Sequence, residues 1–523
     1  MLKLNESSLD WALAHCLQYG DTDVFPLPFE YAAIENDWER VRSYLGREDI
    51  CQWLTRPHRT LLSPKAKYGL RAITQLDPLD SLVFGAIIRE IAEKIESKRS
   101  PITDRRVFSY RVELKDQGQL FSSDIGYRQF LDECRSRVQS GKFEYVAITD
   151  ISDFYSRIYL HRMENALGAA CDSGSHVMAI KKLLAGWNGT ESYGLPVGSA
   201  FSRLLAEITI SDIDDALQAH GVDFVRFNDD YRIFVNSISE AYQSIVILAE
   251  FLFRNHGLSL QPQKTNILTI DKFQADFLAT PLDREVNSLY QRFEELVNEL
   301  GLNSWYDLIE YDDLTPEQQE QIDALNLVEL FREEIGREEP EIPVLRFILR
   351  RLGQLGDDSI VDDIFGSLDS IYPAFVDVVR YLGDLRFLNT RQKSDVGNKL
   401  LELLENSIVS ELTYHRMWIV NMFTHSTEWD NEDKFVAIYN LERDQVTRRE
   451  LILAMGRSQQ RHWFQSQWRS ILDHPDWSRR ALIAGASCLQ SGARKHLYRS
   501  LTPRLDPLEF AVMKWAKENP FFV

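Results

Sequence analysis

The chain has 523 residues, a formal net charge of −20 and 44% hydrophobic residues, which suits two or three globular domains. The acidity disfavours a protein that grips a nucleic-acid duplex along its length, and no apolar run approaches the roughly 18 residues of a membrane span. Five scattered cysteines (Cys16, Cys51, Cys134, Cys171 and Cys488) form no metal-ligand spacing and no disulfide framework. Met1–Glu6 lacks a basic-then-apolar leader pattern, so the expected compartment is the cytoplasm.

In chain order, residues 1 to about 100 read as helices with loops, the clearest being Pro78–Ile95, with Asp80 or Ser81 as cap. Residues 101–115 alternate like a strand, and residues 120–140 are helical. Phe143–Asp150 has the hydrophobic body of a strand and ends on Asp150; Ile158, Leu160, Met163 and Leu167 then follow helical spacing within Ser156–Leu167. After a loop at Gly194 come a helix from Ser202 to Ala219, a hairpin over Val225–Val235, a helix from Glu240 to Asn255 and a last strand near Leu268.

The composition then shifts. From Phe293 to Pro343 the chain is rich in Glu and Asp and has no lysine, which reads as a solvated helix pair rather than a nucleic-acid mimic. Thr315-Pro316-Glu317 is a helix start, a cap followed by proline at the first helical position. From residue 344 amphipathic helices alternate with short loops. Arg448-Arg449-Glu450-Leu451-Ile452-Leu453-Ala454 recurs as Arg479-Arg480-Ala481-Leu482-Ile483-Ala484-Gly485, and Arg416-Met417-Trp418-Ile419-Val420 precedes both. Such spacing predicts stacked helix pairs of the HEAT type. Trp418, Trp463, Trp468 and Trp477 then belong between helices rather than under stacked bases.

The chemistry lies in two acidic strand ends. Asp229-Asp230 sits at the tip of the predicted hairpin, where paired carboxylates are costly unless something neutralises them. A solvated turn is the plain reading of Asn-Asp-Asp alone. Asp150, at a strand-to-helix transition, adds a second acidic end, and both in one sheet could hold two magnesium ions, with manganese as substitute. That is the two-metal arrangement for in-line phosphoryl transfer.

These segments resemble the motifs of reverse transcriptases. Asp150 to Phe154-Tyr155 looks like motif A, Gly194-Leu195-Pro196-Val197-Gly198-Ser199-Ala200 like motif B, Phe227-Asn228-Asp229-Asp230 like motif C, and Leu258–Thr265 like motif D, all in the right order. Tyr19–Pro26, Leu76–Asp80 and Arg105–Arg111 are similar to the bacterial abortive-infection branch, the AbiK type and its prophage-borne relatives. The resemblance implies an α+β fold: reverse-transcriptase-like fingers and palm over residues 1–285, an acidic helical connector over 286–343, and an all-α HEAT-like repeat domain over 344–523.

By the same resemblance, Asp150, Asp229 and Asp230 are the catalytic and metal-binding carboxylates, with Asp230 the looser ligand. Tyr155 takes the steric-gate position, where its ring would clash with a 2′-hydroxyl; a core aromatic is the other reading. Nucleotide contacts are expected from Arg105, Arg106 and Arg111 on a fingers hairpin, from Asp153 and Phe154, from Pro196 and Gly198, and from Lys264, which protonates or neutralises pyrophosphate. Solvated basic residues are the plain reading of these arginines and of Lys264.

One departure narrows the function. Templated relatives commonly carry glutamine after the Leu-Pro of motif B; here Val197 cannot hydrogen-bond. The branch implies template-independent synthesis from dNTPs, primed by a protein hydroxyl, with single-stranded DNA left attached to the protein. It further implies anti-phage defence inside bacteria and homo-oligomers. The priming residue is not legible; Tyr19, Tyr31 and Tyr44 are candidates. The alternatives are a templated RNA-directed DNA polymerase and a polymerase-like scaffold without activity.

Overall fold

The structure, a computed structural model, describes residues 1–22, 24–278 and 326–519. The strands among these residues are β1 (Arg59–Ala66), β2 (Gly69–Gln75), β3 (Tyr145–Asp150), β4 (Phe224–Phe227), β5 (Asp230–Val235) and β6 (Asn266–Thr269). β1 and β2 form a hairpin, and the other four an antiparallel sheet in the order β4-β5-β3-β6. Because side chains alternate across a strand, Val146 and Ile148 of β3 share a face with their partners Phe234 and Arg232 of β5. Val146, Ile148, Phe234, Val225 and Leu268 pack there with Phe108, Phe130 and Phe273 into one apolar cluster. The helix Ile238–Phe251 packs against β3 and β5. Its N-terminus is capped by Ser237, whose side chain accepts from the Glu240 amide.

Several predicted elements take another form. Residues 101–115 are not a strand: a 3-10 turn at Ile102–Asp104 is followed by isolated bridges, Val107 to Arg226 and Val112 to Phe121. Left-handed Arg105 (φ 52°) and Tyr110 (φ 47°) interrupt the extended backbone. The hairpin preceding the palm is β1–β2 instead, turned at Tyr68 (φ 85°). The helix expected over Ser202–Ala219 divides into Ala200–Thr209 and Ser211–Ala219. Thr209 Oγ1 donates back to the Leu205 carbonyl (2.6 Å) and Ser211 Oγ to that of Ile208 (2.9 Å), bonds that bend a helix. The helix expected to Asn255 ends in a π-turn, Leu252–His256, closed by left-handed Gly257. Ser156–Leu167 divides into Phe154–Arg157 and Leu160–Ala170, and the 120–140 helix is Tyr127–Gln139.

The chain forms two compact units: Met1–Thr60 with Ile73–Thr280, and Leu61–Ala72 with Pro281–Val523. In the first, the helix Glu6–Tyr19 lies along Pro78–Glu96. Most of the expected acidic connector, including the Thr315-Pro316 helix start, lies outside the described residues; Leu327–Ile335 at its end is helical and packs on Ile342–Leu355.

In the second unit a ladder of helices follows: Ile342–Leu355, Phe375–Asp384, Thr413–His425, Gln445–Arg457, Asp476–Gly485 and Pro507–Glu518, each packed on the next. The repeated sequence segments fall on successive rungs. Arg449 and Arg480 are buried, each over the Trp477 ring at 5.3 and 4.6 Å, and Trp418 is buried under Arg380 at 4.8 Å. Trp463 lies edge-on to Tyr439 and Phe464.

At Gly456 an added Cβ would lie 2.7 Å from the Gly485 Cα, so two rungs approach backbone to backbone. Nothing at that point can rotate aside. Gly456→Val is therefore expected to destabilise the second unit by about 1–3 kcal/mol, read as a lowered midpoint in urea. An unchanged midpoint would mean that the rungs separate without cost.

Candidate active site

The carboxylates meet through sheet register. Asp150 ends β3 and Asp230 begins β5, and the two are cross-strand partners. Asn228 and Asp229 form the two-residue connection between the paired Phe227 and Asp230. Asn228 adopts φ 56°, a left-handed conformation that asparagine tolerates and tight hairpin turns demand. Backbone bonds lock this corner: the Ile151 amide donates to the Asp229 carbonyl (3.1 Å), and the Gln261 amide to that of Asp150 (2.7 Å). The second bond draws the segment before Lys264 beside the strand end.

The charges there are crowded. Burial, and then the nearby Asp150 and Asp230 carboxylates, push Asp229 up to about 7. Lys264 Nζ pairs with Asp150 Oδ2. Burial alone would lower the lysine, but Asp150, with Asp230 and Asp229 behind it, raises it. Arg232 Nη1 meets Asp230 Oδ1 at 3.3 Å. The donor set, three carboxylates, has the hard oxygen chemistry of a divalent-cation site. Among the described residues no group of three such side chains is ready-arranged around a cation; Lys264 and Arg232 act as counter-charges to Asp150 and Asp230.

Tyr155 lies beside this corner: its hydroxyl donates to Asn228 Oδ1 at 3.0 Å. Phe154, the neighbour in sequence, is buried in the core, and Asp153 is exposed in a left-handed turn that receives Ser156 Oγ and the Arg157 amide on its carbonyl. The motif B loop is tied to the same place, with the Leu195 amide donating to the Tyr155 carbonyl (2.9 Å). Pro196 is buried. Gly198 has φ +118°, and a Cβ there would meet Val24 and Thr22 at 3.0 and 3.2 Å. Beyond it opens a cavity of about 240 Å³ lined by Tyr19, Thr22, Phe121, Gly198 and Arg203. Arg203 lies over the Tyr110 ring at 5.3 Å, and that ring lies 5.8 Å from the Phe227 ring.

The three arginines are not gathered here. Arg105 pairs with Glu133, Arg106 Nη1 donates to the Val222 carbonyl (3.0 Å), and Arg111 is buried with Glu96 and the Ser100 carbonyl. Of the tyrosines, Tyr19 is 47% exposed and lines the cavity, Tyr31 is wholly buried, and Tyr44 is half-buried beside Trp53.

Sequence reasoning missed what holds the motif C turn. Arg226 in β4 is fully buried. It donates to Glu207 (3.1 and 3.0 Å), to Asp214 (2.8 and 2.6 Å) and to the Asn228 carbonyl (2.9 Å). Arg99 and Ser109 Oγ each reach Glu207 at 2.6 Å. The signal was available: an arginine inside Phe224-Val225-Arg226-Phe227 can be buried only with acidic partners.

Residues 93–323, under half of the chain, match the family model described as reverse transcriptase (RNA-dependent DNA polymerase). That match supports a reverse-transcriptase-like domain within the chain, of the kind found in nucleotidyltransferase polymerases. Among solved structures, the chain is similar to a telomerase from Candida albicans in complex with a fragment of telomeric RNA. That match has 12% identity and a TM-score of 0.32, over 79% of this chain and 71% of that one. A partial Cas6-RT-Cas1–Cas2 complex matches at 20% identity and a TM-score of 0.24, over 47% of this chain and 41% of that one. No curated protein matches. Among the described residues no helix is long and apolar enough to cross a membrane.

Proposed function

We propose that this chain is a DNA polymerase that extends a protein hydroxyl with deoxynucleotides, without a template, in anti-phage defence. The observation that carries the polymerase reading is the meeting of Asp150, Asp229 and Asp230 at one end of the sheet, with Lys264 against Asp150. Asp150 and Asp229 are the principal cation ligands and Asp230 the looser one. A divalent cation, magnesium or manganese, supplies charge neutralisation at the triphosphate and acidifies the attacking hydroxyl.

Around it, the chain's own groups position the reaction. The hydroxyl oxygen attacks the α-phosphorus, the bond to the bridging oxygen breaks, and pyrophosphate leaves. Lys264 gives the leaving group a proton. Tyr155 lies under the sugar, and Gly198 leaves room for the base.

Val197 supports template independence, because its side chain offers a template nothing to bond. The net charge of −20 supports a primer carried on the protein rather than a long gripped duplex. Priming and homo-oligomer formation rest on the resemblance to abortive-infection relatives, and Tyr19 is the candidate hydroxyl best exposed near the motif B loop. The helix ladder supports a HEAT-like repeat domain over 344–523, with 1–285 as fingers and palm and 286–343 as connector.

The purified chain, incubated with labelled dNTPs and magnesium but no template, is expected to retain label after denaturation. Mass spectrometry after nuclease digestion should then find a nucleotide on one tyrosine, serine or threonine. Label appearing only with added template, and none staying on protein, would favour the templated alternative. Chelating the divalent ion should stop incorporation in either case.

A further inference from the structure

The second residue of motif C is Asn228, and both the carbonyl and the NH₂ of its side-chain amide are engaged. Its carbonyl oxygen accepts the Tyr155 hydroxyl at 3.0 Å, and its NH₂ donates to Asp229 Oδ1 at 2.7 Å. The chemistry fixes this orientation: the acceptor faces a phenol and the donor faces a carboxylate. The backbone of the same residue is held as well. Its φ of 56° suits asparagine, and its carbonyl accepts from the buried Arg226 at 2.9 Å. An apolar residue here could make neither side-chain bond, and an aspartate could keep the first but would set a second carboxylate against Asp229.

We infer that Asn228 is a positioning residue that ties the Tyr155 ring to the Asp229 carboxylate, and thereby sets how strongly the site rejects a ribonucleotide. The inference rests on the polymerase reading and on Tyr155 as the sugar gate. A gating ring discriminates only as far as it cannot tilt away from a 2′-hydroxyl. Here the tilt is resisted at the far end of the ring by a hydrogen bond to a turn that is itself held by Arg226. The second bond engages one oxygen of Asp229, Oδ1. Gate and carboxylate thus move together.

The test is a double-mutant cycle on the full chain with Tyr155→Phe, Asn228→Gly and both, glycine being chosen because it accepts the left-handed backbone. The readout is the ratio of kcat/KM for a dNTP over the matching rNTP. A parallel readout is equilibrium binding of the same nucleotides in calcium, and thermal melts verify folding. Each single variant is expected to lower both ratios by about 3- to 10-fold, the loss of one neutral hydrogen bond. The double variant should be no worse than either single. Asn228→Asp, which retains the acceptor, should keep the ratio and lose kcat. Multiplying single effects, or a ratio indifferent to Asn228→Gly, would overturn the inference while leaving the polymerase reading intact. A wild-type chain that neither incorporates nor binds nucleotide would overturn that reading, and the inference with it.

Discussion

Asp229→Asn should abolish nucleotide incorporation, by at least about a thousandfold, while making the protein more stable at alkaline pH. On the proposed polymerase reading the loss follows from removing a cation ligand, whose charge stabilisation is worth several kcal/mol in phosphoryl transfer. The gain follows from crowding. Burial and the Asp150 and Asp230 carboxylates push Asp229 up to about 7, whereas an unfolded aspartate titrates near about 4. Between those values the folded chain binds more protons than the unfolded one, so the contribution of Asp229 to stability falls as pH rises. Asparagine does not ionise. Its advantage should be largest above pH 7 in metal-free buffer and vanish below about pH 4.

On the same reading, adding magnesium should reverse the order, because a ligand that binds the folded state raises the wild-type Tm but finds a weakened site in the variant. Melting curves at pH 4 and 8, with and without magnesium, check these expectations. A variant that incorporates nucleotide within tenfold of wild type removes Asp229 from the chemistry. Defence that survives in Asp229→Asn favours a binding scaffold.

The parts legible in the sequence are those where one period or one residue type dominates. Tyr145–Asp150 and Asp230–Val235 are β-branched and aromatic runs bounded by acidic ends, and their pairing brings Asp150 opposite Asp230. Other parts depended on information a single residue does not carry. The alternation of residues 101–115 predicts a strand, but Arg105 and Tyr110 turn left-handed, a conformation a motif of arginines and aromatics does not announce. The β1–β2 hairpin escaped because Pro64 interrupts one strand and tyrosine, not asparagine, occupies the positive-φ position before Gly69. Arg111 reads as a triphosphate ligand in the chain and is buried with Glu96 in the fold. Asn228 looks like one polar residue of a turn until Tyr155, 73 positions away, is seen against it.

The buried cluster under the motif C turn yields the largest expected effect on stability. Arg226, Glu207 and Asp214 are all fully or nearly fully buried, with one guanidinium serving two carboxylates and Arg99 serving Glu207 in addition. Arg226→Met removes the shared cation and leaves Asp214 without its partner in an apolar surrounding, which costs about 3–5 kcal/mol. Against the roughly 5–15 kcal/mol that holds a domain together, that loss could unfold the first unit. Neutralising Asp214 as well should restore most of it: Arg226→Met with Asp214→Asn leaves Glu207 paired with Arg99 and no uncompensated charge, and buried networks can often be exchanged for neutral packing at little cost. Activity should not return with the fold. Arg226 also donates to the Asn228 carbonyl, the bond that holds the turn carrying Asp229, and methionine cannot replace it. Denaturant midpoints and nucleotide incorporation measured on the single and double variants separate the two roles. A double variant with wild-type activity would show that the turn keeps its geometry unaided, and that the buried arginine serves stability alone.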